Sequence, residues 1–144
     1  MASTYSSSLK LELMETGSNA NTWGNNTNTN LQTVDAFTAG YIDIDISANS
    51  GSTYTLSSNN ADPNAESSNK VLDLHGTLTD NIVVALPAVE NNYVIYNNTA
   101  GSFSLTVDLV GSPGTNVVVT QGEYAFVYSE NPLQVYPEHL SNNV

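Results

Sequence analysis

The chain has 144 residues, enough for one domain, and only 11% of them are charged, against a usual share of about 25%. Two basic residues face 14 acidic ones, which gives a formal net charge of −12. Because phosphate binding needs Lys and Arg, the chain is not expected to bind nucleic acid or an anionic membrane. It contains no cysteine, which excludes disulfides, thiolate metal sites and a cysteine nucleophile.

The N-terminal part predicts one short strand and one loop. Leu9, Leu11 and Leu13 alternate with polar residues, which predicts a half-buried strand over 8–14. A polar loop follows over 15–26. It contains the only tryptophan, Trp23, which we expect to anchor the loop by packing beside the start of the next element.

The next segment predicts the only helix, over 27–39. Its apolar residues Leu31, Val34 and Phe37 follow one another at helical steps. Three residues are candidate caps, Asn28 or Asn30 for the start and Gly40 for the end. From Tyr41 onward the period changes to two, since Ile42, Ile44 and Ile46 alternate with polar residues, and this predicts a strand.

The rest of the chain predicts a series of short strands separated by Asn, Gly, Ser and Pro. The candidate strands are 53–57, 70–75, 81–86, 92–97, 102–109, 115–120, 123–129 and 132–136. Because no helices separate them, we expect a mainly β chain, an antiparallel β-sandwich or jelly-roll-like barrel with one short N-terminal helix. We expect a docking or packing module over 1–46 and a sandwich body over 47–144, together forming one compact unit, without a repeat of fixed period.

Two apolar runs, 82–86 and 117–119, predict strands covered on both faces, which favours an oligomer. The tyrosines on the strands suit a core edge or an interface. The residues expected in the core or in subunit interfaces are Leu9, Leu11, Leu13, Leu31, Val34, Phe37, Ile42, Ile44, Ile46, Val71, Leu72, Ile82, Val84, Val94, Leu105, Val107, Val118, Phe126 and Val135.

The residues suited to catalysis or metal binding are few. The chain has two histidines, His75 and His139, and matches none of the common catalytic or nucleotide-binding motifs, so we assign no catalytic residues and no cofactor. Asp43 and Asp45 lie on one face of a strand, where Ca²⁺ binding is conceivable, but a solvated polar face is the better interpretation and we assign no metal.

Two other functions stay open at this stage. Trp23 and scattered tyrosines could form an aromatic platform for a glycan. A polysaccharide hydrolase would need two acids held close together, for which the sequence offers Asp43 with Asp45, or Glu12 with Glu15.

Three motifs near the N-terminus resemble a known family. They are the Leu-alternating segment 6–14, the segment Thr16-Gly-Ser-Asn-Ala-Asn-Thr-Trp-Gly24 and the segment Ala39-Gly-Tyr41. Together they resemble the N-terminal module of tailed-bacteriophage virion proteins of the tail-fibre type. The resemblance is close over about residues 3–46 and looser beyond, at Gly76-Thr-Leu-Thr79, at 94–98 and at 99–101.

The resemblance implies a non-enzymatic virion component that attaches to the particle and often assembles as a trimer. The length of the chain leads us to expect a small capsid decoration, cement or short fibre subunit rather than a long receptor-binding fibre. Its partners would be other virion proteins and further copies of itself, and it would reach the virion by assembly in the host bacterial cytoplasm. The residues expected to dock or pack are Thr22, Trp23, Gly24, Leu31, Val34, Phe37 and Tyr41.

Overall fold

A computed structural model describes residues 3–111, 116–130 and 134–138, the last five and Glu130 by their backbone alone. The elements are β1 (Thr4–Tyr5), β2 (Glu12–Leu13), α1 (Trp23–Ala39), β3 (Tyr41–Asp45), β4 (Thr53–Thr55), β5 (Val71–Thr77), β6 (Ile82–Leu86), β7 (Asn91–Ala100), β8 (Leu105–Leu109), β9 (Val117–Val119), β10 (Tyr124–Glu130) and β11 (Gln134–Glu138). Two 3-10 turns lie at Ser47–Asn49 and Glu66–Ser68. The expectation of a mainly β chain with one helix is confirmed.

The body consists of two sheets between which the chain alternates. The strand order is β11-β10-β7-β5-β3 in the five-stranded sheet and β4-β6-β8-β9 in the four-stranded sheet. From β3 to β8 each successive strand enters the other sheet. The chain therefore forms three stacked coils, each with one strand in each sheet. Neighbouring strands from this part of the chain run parallel within each sheet. Strands β9, β10 and β11 then close the body with antiparallel pairings.

The expectation of antiparallel pairing holds for three of the seven pairings in the two large sheets and is wrong for the other four, which are parallel. Parallel neighbours need a long crossover, which is usually a helix. Here a strand of the opposite sheet serves as the crossover, so a chain without intervening helices still builds parallel pairs. The coils differ in length, since Tyr41 pairs with Val71 and Val71 pairs with Val94, and this explains why no fixed period is visible.

The core lies between the two sheets and follows the two-residue period of the strands. The core side chains expected from the sequence and buried in the structure are Ile44, Ile46, Leu72, Ile82, Val84, Leu105 and Val107. Phe37 and Ile42 pack against them at the margin. In the run 82–86 nearly every side chain is buried, whereas Val118 in the run 117–119 is 54% exposed. Val135 lies among the residues whose side chains are not described.

The N-terminal part differs most from expectation. The predicted strand over 8–14 is reduced to the two residues of β2, which pair with β1, and Lys10 has a positive φ of 57° in the turn before it. Helix α1 starts at Trp23, four residues before its expected start, so Asn28 and Asn30 lie inside it and Thr22 is its N-cap. Gly40 ends the helix as expected. Because β3 pairs with β5, residues 41–45 belong to the five-stranded sheet of the body.

Candidate assembly surfaces

One face of α1 attaches the helix to the rest of the chain. The side-chain amide of Asn30 accepts a hydrogen bond from the Glu12 N–H and donates one to the Glu12 carbonyl, both at 2.9 Å. Thr33 is fully buried, and the Phe37 ring meets the edge of the Tyr93 ring with centroids 6.4 Å apart. The Lys70 ammonium lies 5.1 Å from the centre of the Phe37 ring, a cation–π contact. The attached face is therefore largely polar.

A second face of α1, next to the attached one, exposes three apolar residues. Trp23 is 65% exposed, Leu31 is 62% exposed and Val34 is 40% exposed. With Thr27 and Thr38 they form one line along the helix, which we call the helix stripe. Asp35 is the only charged residue in the helix.

The five-stranded sheet exposes a second surface, the tyrosine face, which consists of Tyr41, Tyr96, Tyr124, Phe126 and Tyr128. Tyr96 and Tyr124 pair across β7 and β10, and their rings stack with centroids 4.2 Å apart and planes 10° apart. Tyr41 and Tyr124 are 60% and 62% exposed. Aromatic rings bury large apolar areas when a partner covers them, so exposed rings in a row are typical of a contact surface.

A buried carboxylate lies beneath the tyrosine face. The Tyr41 hydroxyl donates a hydrogen bond to Asp73 Oδ2, and the Asn98 amide donates a weaker one at 3.4 Å. The hydrogen bond to Asp73 raises the pKa of Tyr41 to about 12, and burial and the negative charges of Asp73 and Asp43 act in the same direction. Asp73 is 7% exposed, and its Oδ1 has no hydrogen-bond partner among the described residues.

Three of the acids considered for metal binding or catalysis, Asp43, Asp45 and Glu12, each contact a polar group of the chain. Asp43 Oδ2 is 3.6 Å from His75 Nε2, and both side chains are open to water. Asp45 Oδ1 accepts a hydrogen bond from the Ser47 N–H at 2.9 Å, and hydrogen bonds from Ser47 lower the pKa of Asp45. Glu12 accepts hydrogen bonds from Ser3 and Asn19. Among residues 3–111 and the described part that follows, no three His, Asp or Glu side chains form a group that could hold a metal ion. His139 lies outside the described residues.

A depression of about 490 Å³ lies on the outer side of the four-stranded sheet. Its lining combines threonines of β4, apolar residues of β6 and β8, and one acid, Asp108. Its lining contains no histidine, lysine or cysteine beside that carboxylate.

The structure separates the seven residues expected to dock or pack into three groups. Trp23, Leu31, Val34 and Tyr41 are exposed, so the expected packing of Trp23 beside the helix start is wrong, and Leu31 and Val34 do not enter the core of the chain. Phe37 packs against the core. Thr22 and Gly24 belong to the first turn of α1, where the Thr22 hydroxyl donates a hydrogen bond to the Asn19 carbonyl.

The sequence interpretation did not identify the tyrosine face as one surface. The alternation of Tyr124, Phe126 and Tyr128 was visible, and it indicates that these rings share a face. Their neighbours in space come from β3 and β7, far away in the chain, and only the parallel pairing brings Tyr41 and Tyr96 onto the same face.

No helix among the described residues is both long and apolar enough to cross a membrane. The chain was also compared with family models, with curated proteins and with solved structures, and none of them matches it.

Proposed function

We propose that this protein is a non-enzymatic structural subunit of a tailed-bacteriophage virion, a small oligomeric capsid decoration, cement or short fibre subunit that acts by assembly with other proteins. The observation that carries the proposal is the helix stripe, because a chain with a net charge of −12 exposes Trp23 and Leu31 on a helix face without charge. Exposed apolar surface of this kind marks a contact with another protein.

The resemblance of the N-terminal motifs supports the same proposal. The Thr-Trp-Gly motif contains the N-cap and first turn of α1, and the Ala-Gly-Tyr motif contains its last residue and its C-cap. Gly40 is needed there because a Cβ at this position would lie 2.1 Å from the Ala36 carbonyl oxygen. Both motifs thus specify the ends of the helix that presents the stripe, as expected of residues that shape an attachment element.

The test is the location of the protein in infected cells and its return to particles. Antibodies against the protein should label purified virions, and the purified protein should bind again to particles from which it has been removed. A Trp23→Ala, Leu31→Ala double variant should bind these particles less tightly, whereas Tyr5→Ala, a change outside the stripe, should not. Absence of the protein from purified virions would contradict the proposal.

A second candidate function, recognition of a host-surface glycan, is favoured by the tyrosine face. Exposed rings at Tyr41 and Tyr124 could stack against sugar rings, and Asp73 and Asn98 supply hydrogen-bonding groups beside them. The isolated protein would then bind whole host cells, and surface polysaccharide would compete. Tyr124→Ala should abolish this binding and Tyr5→Ala should preserve it. Equal binding by both variants would exclude the tyrosine face as the site.

A further inference from the structure

We infer that the outer face of the five-stranded sheet carries a binding site for the guanidinium group of an arginine side chain on a partner protein. The inference rests on the proposed function as a subunit that acts by assembly, and it adds the chemistry that the partner presents. The site is a line of two acids and two tyrosines across four strands, which we call the acid–tyrosine row. It consists of Asp43, Asp73, Tyr96 and Tyr124.

The row follows from the register of the strands. Asp43 of β3 pairs with Asp73 of β5. Asp73 pairs in turn with Tyr96 of β7, which pairs with Tyr124 of β10. These side chains leave the sheet on the side away from the core, because Leu72, next to Asp73, is fully buried in the core. Neighbouring strands are about 4.8 Å apart, so the two carboxylates lie directly beside the two rings.

One carboxylate oxygen of the row lacks a partner within the described chain. Asp73 is 7% exposed, and its Oδ2 accepts hydrogen bonds from the Tyr41 hydroxyl and the Asn98 amide. Its Oδ1 accepts none from the described residues. A buried charged group with incomplete hydrogen bonding costs stability, and Asp43 directly opposite adds the repulsion of a like charge. A cation bound between the two acids would reduce both costs.

The chain has little with which to supply that cation itself. Its sequence contains no arginine and only two lysines, Lys10 and Lys70. Lys70 lies over an aromatic ring of α1, and neither lysine forms an ion pair among the described residues. His75 contacts Asp43 at 3.6 Å, but no ion pair reaches Asp73 in the part of the chain that the structure describes. With a net charge of −12, the chain attracts a basic partner, which can provide the missing cation.

The tyrosines favour arginine over other cations. A guanidinium group is planar, donates two parallel hydrogen bonds to a carboxylate and stacks on aromatic rings. Tyr41 and Tyr124 are exposed beside the acids, and Tyr124 is supported by its stacking on Tyr96. A metal ion fits less well, because no three His, Asp or Glu side chains among the described residues form a group that could hold one.

Tyr41 controls access to Asp73. It lies on β3, the last strand of its sheet, and its hydroxyl occupies Asp73 Oδ2. An exposed side chain can change its rotamer within nanoseconds. When Tyr41 turns aside, the arriving guanidinium takes the place of the hydroxyl and donates to both carboxylate oxygens of Asp73, so that Oδ1 gains the partner it lacks.

A titration followed by NMR tests the site on the wild-type protein. The probe is N-acetyl-arginine amide, and the control is N-acetyl-citrulline amide, which has nearly the same shape without the charge. We expect the arginine compound to shift the backbone signals of Asp43, Asp73 and Tyr96, and the citrulline compound to leave them unchanged. High salt should weaken the binding, because it screens the carboxylates. Equal shifts with both compounds, or no shift with either, would overturn the inference.

Charge variants show whether the row is the site. Asp73→Asn should weaken arginine binding about tenfold, since it removes a charged hydrogen-bond acceptor. Asp43→Asn should weaken it about threefold, as expected of an exposed ion pair, and at a side chain 72% exposed it tests the row even if Asp73→Asn does not fold. Asp35→Asn removes an exposed acid from α1 and should bind like the wild type. Equal binding by Asp43→Asn and Asp35→Asn would contradict the inference.

Particles from which the protein has been removed separate this inference from the proposed function. We expect Asp73→Asn to return to them less tightly than Asp35→Asn, and the arginine compound to compete with the wild type. If all variants return equally, the inference fails and the proposed function stands. If host polysaccharide shifts the signals of the row and the arginine compound does not, the surface is a glycan site and the inference is overturned.

Discussion

Asn30 in the middle of α1 pairs with the backbone of Glu12 through both ends of its side-chain amide, at 2.9 Å for each hydrogen bond. In this way an asparagine side chain takes the place that a neighbouring strand would take beside β2. The two-residue hairpin of β1 and β2 is too short to be stable alone. Asn30 therefore helps to fix the hairpin on the helix, together with the hydrogen bonds from Asn19 to Glu12 and from the Ala61 N–H to the Lys10 carbonyl.

The first prediction concerns this pairing. Asn30→Ala should release β2 from the helix and should cost about 1–2 kcal/mol of stability, the contribution of one or two partly buried hydrogen bonds. The direct measurement is amide hydrogen exchange, in which the Glu12 N–H should exchange much faster in the variant. Asn28→Ala removes an exposed asparagine from the same helix and should leave Glu12 protected. Equal protection of Glu12 in both variants would show that the pairing does not hold the hairpin.

The second prediction concerns Asn97, which is fully buried between the sheets. Its amide donates to the Val119 carbonyl at 2.9 Å, and its oxygen accepts from the Thr99 hydroxyl at 2.6 Å. Asn97→Ala would leave both partners buried without a hydrogen bond, so we expect a loss of about 2–4 kcal/mol in urea unfolding. Asn28 is exposed on α1, and Asn28→Ala should cost less than about 0.5 kcal/mol. Similar losses for the two variants would contradict the role given to Asn97.

The strands were predictable from the sequence because their signal is local. Each of the eight candidate segments after Tyr41 overlaps a strand, since alternation and turn residues report on the backbone at that place. The direction of pairing was not predictable, because nothing within β5 indicates that both of its neighbours are parallel to it.

The face of α1 that turns toward the body could not be predicted from the sequence, for a different reason. An apolar line such as Leu31 and Val34 usually faces the core, and the sequence favours that interpretation. In this chain Asn30 and Thr33 face the body, because a polar side chain can be buried when it finds hydrogen-bond partners. Those partners, such as the backbone of Glu12, cannot be identified before the fold is known.

The third prediction concerns Gly101, which follows β7 with a φ of +111°. A Cβ at this position would lie 2.3 Å from the Leu78 carbonyl oxygen, a backbone atom that cannot move aside. Gly101→Ala should therefore destabilise the fold by about 3 kcal/mol or more, measured by thermal or urea unfolding.

Gly111 provides the matched control for Gly101. It also has a positive φ, of +75°, but a Cβ there would meet no atom within 4 Å. Gly111→Ala should lower the free energy of unfolding by about 1 kcal/mol, the cost of the backbone strain without a steric clash. If both variants lost the same stability, the close contact with Leu78 would have no energetic consequence.

The fourth prediction concerns stability at high pH. Tyr93 is 1% exposed, and burial raises its pKa well above the ordinary value of 10.0, although the hydrogen bond from Asn91 acts in the opposite direction. Above pH 10 the unfolded chain releases the tyrosine proton while the folded chain keeps it. The folded state then binds more protons than the unfolded state, so its free energy of unfolding falls as the pH rises.

The measurement for this prediction is urea unfolding between pH 8 and pH 11, values chosen to bracket the ordinary tyrosine pKa of about 10. Stability should be flat at the lower end and should decline above pH 10. Tyr93→Phe removes the titrating group together with a hydrogen bond to the Ser67 carbonyl, so it should start from a lower stability and decline less steeply. Because any tyrosine that is equally free in both states adds nothing to the slope, an unchanged slope in Tyr93→Phe would show that burial of this hydroxyl is not its cause.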